Sequence, residues 1–456
     1  MEFGINVDSL QNHVKMREKK IIKKSNESTE EKYTSKIVEY TFFVQNEIEV
    51  CEKLNALQSE EKPYPGIYRF LTIKKYDFVK ICESNKQILE KMNIDVDLLT
   101  KNANNKRIVL LKYKKDIGIG LDMNNEKMIP FIEYFFYHNH INNTSLFNEN
   151  PRASFIFWDF IHGYETLFDD LLYLTNKDII FLDFSCKNLL YNKKYSVFFN
   201  KFGKCLIRQH FNVTETDLSE DGDLRKLSKY IEIERYIDKF IKIIESIEYY
   251  GNKHFDLYFS KKLVEIRNFY IVYQNLDSII DDYFNNLQFL KGFSDKFKND
   301  NKIKWKTQIK SKIEENIKYF NIDVKNLNWK LYLLLLLEKN NKTLWETFSL
   351  NSLFLNITYY MMKIFDIKDK SSVVHRYFKF LFTNMNINCS SFNNNNNNNN
   401  ISISISKCRY NYDKFRDSLQ DNKDFDNLAN FFCLSHITIE QQQELYVFLL
   451  NNIDKF

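Results

Sequence analysis

Proline and glycine are so scarce in this chain that they decide much of what it cannot be. The 456 residues hold only 9 Gly and 4 Pro, against roughly 7% and 5% in average proteins. The prolines are Pro63, Pro65, Pro130 and Pro151, and none follows. A collagen-like chain, a proline-rich linker protein and a Gly/Ser-tethered array are excluded. The scarcity also counts against any mechanism in which several glycines hold phosphates.

Apolar residues make up 44% and aromatics 16%, with 41 Phe and 28 Tyr. That suffices for a large core, so the bulk of the chain folds. The length allows one large domain or roughly two to four ordinary ones. Lys and Arg total 65 and Asp and Glu total 60, a net charge of +5. The two signs are interspersed, so charge does not single out nucleic acid as a partner. The wealth of Asn, Lys, Ile, Phe and Tyr suggests AT-rich coding, as in AT-rich protists and the large DNA viruses that infect them.

The 7 cysteines are odd in number, with no pair at metal-finger spacing. No basic-then-apolar leader opens the chain. Free thiols in a reducing intracellular compartment are the expectation. No transmembrane helix is expected. The uncharged run Phe380 to Ser406 is mostly Asn and Ser, and Thr347 to Met362 is interrupted by polar residues.

Residues 1–32 are polar and charged and read as a variable N-terminal segment. Residues 33–120 read as strands around one helix. The strands are Ser35–Tyr40, Tyr68–Ile73 and Arg107–Lys112. The helix runs through Asn46–Leu54, with Ile48, Cys51 and Leu54 on one face. Pro63-Tyr64-Pro65-Gly66 is a turn, and so is Gly118-Ile119-Gly120. Residues 121–456 are mainly helical, with Phe155–Leu174 followed by patterns at 227–250, 257–292, 305–320, 327–338 and 344–366. Two short strands, Asp178–Leu182 and Ser196–Phe199, interrupt them. Eight consecutive Asn at 393–400 cannot bury apolar surface, which predicts a disordered insertion. No repeat of roughly 20–50 residues is visible, which argues against a solenoid.

The segment Ile179-Ile180-Phe181-Leu182-Asp183-Phe184-Ser185-Cys186-Lys187-Asn188 carries the chemistry. A carboxylate follows a short buried strand, and Asn188 comes five residues later. The strand Ser196–Phe199 then leads into Asn200-Lys201-Phe202-Gly203. Phosphoryl transfer needs a carboxylate beside the attacking hydroxyl and an amide oxygen able to hold Mg²⁺ against nucleotide phosphates. The plainer alternative is a β-hairpin with a surface Asp and Asn.

This pattern resembles the catalytic core of the eukaryotic-type protein kinase family. That family carries His-Arg-Asp, four residues, Asn, and Asp-Phe-Gly about 13 residues further on. Asp183 and Asn188 match the Asp and the Asn, and Lys201-Phe202-Gly203 falls where Asp-Phe-Gly should. The resemblance implies an α+β fold, two-lobed and protein-kinase-like. Its small strand-rich N-lobe would be 33–120 and its large helical C-lobe 121–456, with a helical insertion at about 257–330. It implies ATP and Mg²⁺ as cofactors and Ser/Thr hydroxyls of a protein as acceptors. Asp183 would be the base and Asn188 the metal ligand. Lys187 would stabilise transition-state charge, and Lys36 would contact phosphate, braced by Glu47, with Glu49 as a rival. A protein substrate or a regulatory protein partner is implied. Divergent kinase-like proteins of giant DNA viruses share this texture, which implies the host cytoplasm or the virion as the location.

Three weaker matches lie further along. Trp345-Glu346-Thr347-Phe348-Ser349-Leu350 resembles the Asp-x-Trp-Ser-Leu start of the large lobe's central helix. His254-Phe255-Asp256 stands where Ala-Pro-Glu ends the activation segment, and Arg409 is a candidate partner for that acid.

The departures are specific. Phe181-Leu182 replaces His-Arg, so no arginine awaits an activation-loop phosphate. Ser185 stands where Ser/Thr kinases carry Lys. Lys201 replaces the metal-bridging Asp, which weakens or removes Mg²⁺ binding while leaving a direct phosphate contact open. No Gly-x-Gly-x-x-Gly precedes Lys36. Slow or absent turnover is therefore expected, and two alternatives stand beside the kinase: a pseudokinase scaffold and a small-molecule phosphotransferase.

Other constellations offer less. His138-Asn139-His140 lacks metal-ligand spacing. Asp169-Asp170 reads as a solvated helix end. Phe131–Tyr137 reads as core. The basic runs Arg17–Lys24 and Lys302–Lys312 are interrupted or followed by acids.

Overall fold

The computed structural model describes residues 33–58, 72–91, 95–98, 100–101, 108–114, 129–130, 152–185, 188–192, 196–199, 201–209, 211, 224–320, 323–339, 344–364, 373–385 and 405–418. Lys187, the Asn tract, Gly118–Gly120 and the Phe131–His140 stretch lie outside these residues. The chain divides into two compact units. The first is 1–127 with 199–205, and the second is 128–198 with 206–456. The short return of 199–205 to the first unit is not legible in the sequence.

The first unit holds strands β1 (Tyr33–Glu39), β2 (Thr72–Asp77) and β3 (Ile108–Lys114). They form one antiparallel sheet in the order β1-β3-β2. Lys36 pairs with Leu111 in that register. Between β1 and β2 runs helix α1 (Phe42–Gln58). The Thr41 hydroxyl accepts from the Val44 N–H at 3.3 Å, satisfying one of the first-turn donors that a helix leaves open. The helix therefore starts five residues before Glu47, which lies in its second turn rather than opening it. The buried face is Asn46, Val50, Cys51 and Leu54, a stripe at helical spacing. Ile48, expected on that stripe, is only half-buried. Helices α2 (Phe78–Ser84) and α3 (Lys86–Glu90) follow β2. Asp77 caps α2 through one carboxylate oxygen, which accepts from Val79 N–H at 3.0 Å.

The second unit opens with β4 (Ile129–Pro130) and the long helix α4 (Arg152–Asn176). Four short strands follow: β5 (Ile179–Phe181), β6 (Leu189–Asn192), β7 (Ser196–Phe199) and β8 (Cys205–Ile207). They form two small sheets, β4-β6-β7 and β5-β8. The helices α5 (Leu224–Ser246), α6 (Phe255–Ile266), α7 (Phe269–Gln274), α8 (Leu276–Asn286) and α9 (Asp295–Phe320) come next. Then come α10 (Trp329–Lys339), α11 (Leu344–Ile364), α12 (Val373–Asn384) and α13 (Ile405–Ser418). The expected continuous pattern at 257–292 is in fact broken. Arg267 adopts a left-handed φ of 55° that ends α6, and Asn268 caps α7 through its amide oxygen. Asparagine favours such caps because its side chain competes for backbone donors.

Helix α11 is the centre of this unit. Every residue from Trp345 to Thr358 is buried, so the helix is enclosed on all sides, as an all-round buried core helix must be. Tyr164 of α4 packs edge-on against Phe354 at 5.2 Å between ring centres, and its hydroxyl donates to Asn351 Oδ1 at 2.9 Å. Arg409 on α13 binds Glu165 at 2.7 Å and Asp169 at 2.8 Å, tying α13 to α4. This corrects two expectations. Asp169 is ion-paired and Asp170 is wholly buried, so the pair is no solvated helix end. Arg409 serves α4, while Asp256 takes a different partner. The basic run on α9 is also committed locally: Lys302 pairs with Asp281, Lys310 with Asp277, and Lys306 with both.

Candidate functional site

Asp183 owes its place to the turn that ends α4. Asp178 takes a left-handed φ of 57°, a conformation that Asp tolerates better than most residues. Its carbonyl accepts from Arg208 N–H at 2.7 Å. The chain thereby enters β5, whose three residues are all buried. Leu182 and Phe184 are each 0% exposed, while Asp183 between them keeps 14% of its side chain accessible. The flanking apolar residues anchor the backbone, and the carboxylate between them stays partly accessible.

Asn188 lies at the start of β6 and is nearly buried. Its side-chain Nδ2 donates to the Asp183 carbonyl at 2.9 Å. The five-residue spacing thus closes a loop on itself. With Nδ2 engaged, the acceptor oxygen of the amide is the atom left to take a cation. The structure brings these two predicted residues together.

It also brings a third group that sequence reasoning missed. Lys253, 1% exposed, sets its Nζ 3.4 Å from Asp183 Oδ1. The same ammonium makes a short hydrogen bond to the Phe184 carbonyl, which also accepts from Asn252 Nδ2 at 3.2 Å. The Tyr283 hydroxyl donates to the Lys253 carbonyl at 3.1 Å. Burial and the Asp183 charge push the Tyr250 phenol well above its usual range. Gly251 is required here: a Cβ would lie 2.5 Å from the Asn286 carbonyl.

Behind this loop the buried polar groups continue. His254 caps α6, its Nδ1 accepting from Asp256 N–H at 3.2 Å. Asp256 Oδ2 accepts from Trp345 Nε1 at 3.1 Å. Glu346, beside that tryptophan, accepts from Phe181 N–H at 3.3 Å. The start of α11 therefore holds the strand that leads into Asp183. Burial raises the Glu346 carboxyl from 4.5 to about 7.

Lys187 lies outside the described residues, and the other predicted nucleotide-side residues belong to the first unit. Lys36 lies on β1 and Glu47 is half-buried on α1. Lys201 is exposed and Phe202 is 0% exposed. Asn46 of α1, 1% exposed, donates through Nδ2 to the carbonyls of Gly203 at 2.9 Å and Cys205 at 2.7 Å. A Cβ on Gly203 would come within 2.8 Å of the Phe43 carbonyl. So the helix residue that grips the Lys201-Phe202-Gly203 turn is Asn46, one place before Glu47. Neither Asn46 nor Lys253 belongs to the expected motif. The only hints were a polar residue on an apolar helical stripe and a Gly-Asn-Lys-His run before an aromatic helix.

Among the described residues, no group of three or more His, Cys, Asp or Glu side chains is placed to hold a metal ion. Nor does any described helix have the length and apolarity to cross a membrane. Compared with protein-family models, with curated proteins and with solved structures, the chain matches none.

Proposed function

We propose that this chain is a divergent protein-kinase-like phosphotransferase that moves the γ-phosphoryl group of ATP to a Ser or Thr hydroxyl of a protein. The observation that carries the reading is the closed Asp183–Asn188 loop with a buried ammonium on the carboxylate. Further support comes from the helix α1 that follows the Lys36 strand and from Glu346 on the Phe181 N–H.

Asp183 accepts the proton of the attacking hydroxyl as its oxygen bonds to the γ-phosphorus. The bond from that phosphorus to the bridging oxygen breaks, and ADP leaves. Lys36 is assigned the phosphate contact. The donor set fits Mg²⁺ only in part. Asn188 offers an amide oxygen, whereas Lys201 takes the sequence position at which the resemblance expects a second carboxylate. Slow turnover follows.

The exposed cation Lys201 favours a second reading, a scaffold that binds nucleotide without transfer. Thermal shift with ATP, alone and with Mg²⁺ or Mn²⁺, followed by transfer assays on proteins, sugars and nucleosides, separates the cases. Stabilisation and protein labelling support the first reading. Stabilisation without labelling selects the scaffold. Labelling of small molecules alone selects a small-molecule phosphotransferase. Absence of any ATP effect removes all three.

A further inference from the structure

We propose that Lys253 is the positioning residue of this site, holding the Asp183 carboxylate in its working orientation from a loop distant in sequence. The inference rests on the phosphotransferase reading for its role in turnover, and on geometry for its existence.

Lys253 is 1% exposed, and a buried ammonium persists only where it is paired and hydrogen-bonded. Its partners are the Asp183 carboxylate and the Phe184 carbonyl. Both belong to the segment that delivers the base. The ammonium therefore fixes that segment at a side chain and at the next carbonyl, and sets which carboxylate oxygen faces inward.

The loop bearing Lys253 is itself held from several sides. Its N–H donates to Tyr250 at 3.1 Å, and its carbonyl accepts from Tyr283. His254 caps the helix that follows, and Gly251 leaves no room for a side chain. Every residue from Gly251 to Ser260 is buried. A lysine that merely filled space would not need its carbonyl, its neighbours and its ammonium all fixed. Such prior fixing is what makes a charged group effective in setting reactive geometry.

The sequence expectation placed the cation of this site at Lys187. Lys253 supplies a cation from 70 residues away, reckoned from Asp183 to Lys253.

The test uses the full chain and phosphoryl transfer from ATP. Lys253→Met keeps most of the volume and is expected to lower kcat about 10²-fold, the effect of a misplaced reacting group, with KM for ATP within about twofold. Lys253→Ala is expected to recover part of its rate with added methylammonium and none with tetramethylammonium, which cannot donate a hydrogen bond. A purely structural lysine would give no such recovery. Loss in KM alone, or no loss in kcat, overturns the proposal.

A double-mutant cycle in thermal unfolding needs no activity. Lys253→Met, Asp183→Asn and the double variant are compared with the parent. The fall in Tm for the double variant is expected to be clearly smaller than the sum of the single falls. Additive falls overturn the proposal. If the parent chain transfers no phosphate, the phosphotransferase reading fails alone, and the cycle still decides whether Lys253 holds Asp183.

Discussion

Glu346 offers a perturbation whose size follows from the structure. The side chain is 2% exposed, and one of its oxygens accepts from the Phe181 N–H. Its second oxygen is buried with no partner among the described residues. Burial is the main cause that raises its carboxyl from 4.5 to about 7, against the opposing pull of its own backbone N–H, of Arg208 and of the Phe181 N–H. A carboxyl with a raised folded pKa holds its proton more tightly in the folded chain. Its stability is then fully present below about pH 4.5 and is lost as the pH rises through about 7. At about 1.4 kcal/mol per pH unit, the gap from 4.5 to 7 amounts to about 3 kcal/mol lost by pH 8. At pH 5 less than about 1 kcal/mol has gone.

Glu346→Gln keeps the acceptor for Phe181 but cannot ionise. The new amide N–H adds its own penalty, about 1–3 kcal/mol, at every pH. The informative quantity is therefore the change in the difference between the two proteins from pH 5 to pH 8. The variant should gain on the parent by about 2–3 kcal/mol across that range, on the order of 5 °C in Tm for a unit of this size. Urea unfolding at several pH values checks it. Parallel stability curves for the two proteins from pH 5 to pH 8 would refute the reasoning, since they would mean that Glu346 titrates alike folded and unfolded.

Three further outcomes are expected. Asn46→Ala strips the shared donor from the buried carbonyls of Gly203 and Cys205. It should cost about 2–3 kcal/mol in denaturant unfolding and speed hydrogen exchange at 201–205. Gly251→Ala drives a methyl group against the Asn286 carbonyl, and should lower stability by about 1–3 kcal/mol through overpacking. Arg409→Met takes the guanidinium from Asp169 and one of two from Glu165, which keeps Arg416 at 3.4 Å. With the arginine about a third exposed, the loss should be about 1–2 kcal/mol at pH 7. Denaturant unfolding of the variant beside the parent checks it.

The parts of the site legible in the sequence are those made by neighbours in the chain. Asp183 and Asn188 lie on one tight loop, so their spacing alone foretold their meeting. The long helical patterns were likewise legible, because an apolar stripe or an all-apolar run is a local signal. What escaped depends on tertiary contact. Lys253 looked like any lysine, because the carboxylate that justifies its burial lies far back in the chain. Asn46 is hard to tell from Glu47 in the sequence because the phase of α1 depends on its start at Phe42, which the cap on Thr41 sets and periodicity alone does not. Asp170 reads as solvated from the sequence because nothing local announces that α4 is covered at its end. Glu346 shows the reverse: a resemblance pointed to it, and the contact with Phe181 gives its position a physical reason.

The central claim, that Asp183 serves as the base in phosphoryl transfer, is tested most directly by label transfer from γ-labelled ATP to a panel of Ser/Thr-containing proteins, with the parent chain and Asp183→Asn side by side. Labelling by the parent is expected, falling by at least about 10²-fold in the variant, while ATP still raises the Tm of both. Equal labelling by the two proteins, or none by the parent at any substrate concentration, would contradict it.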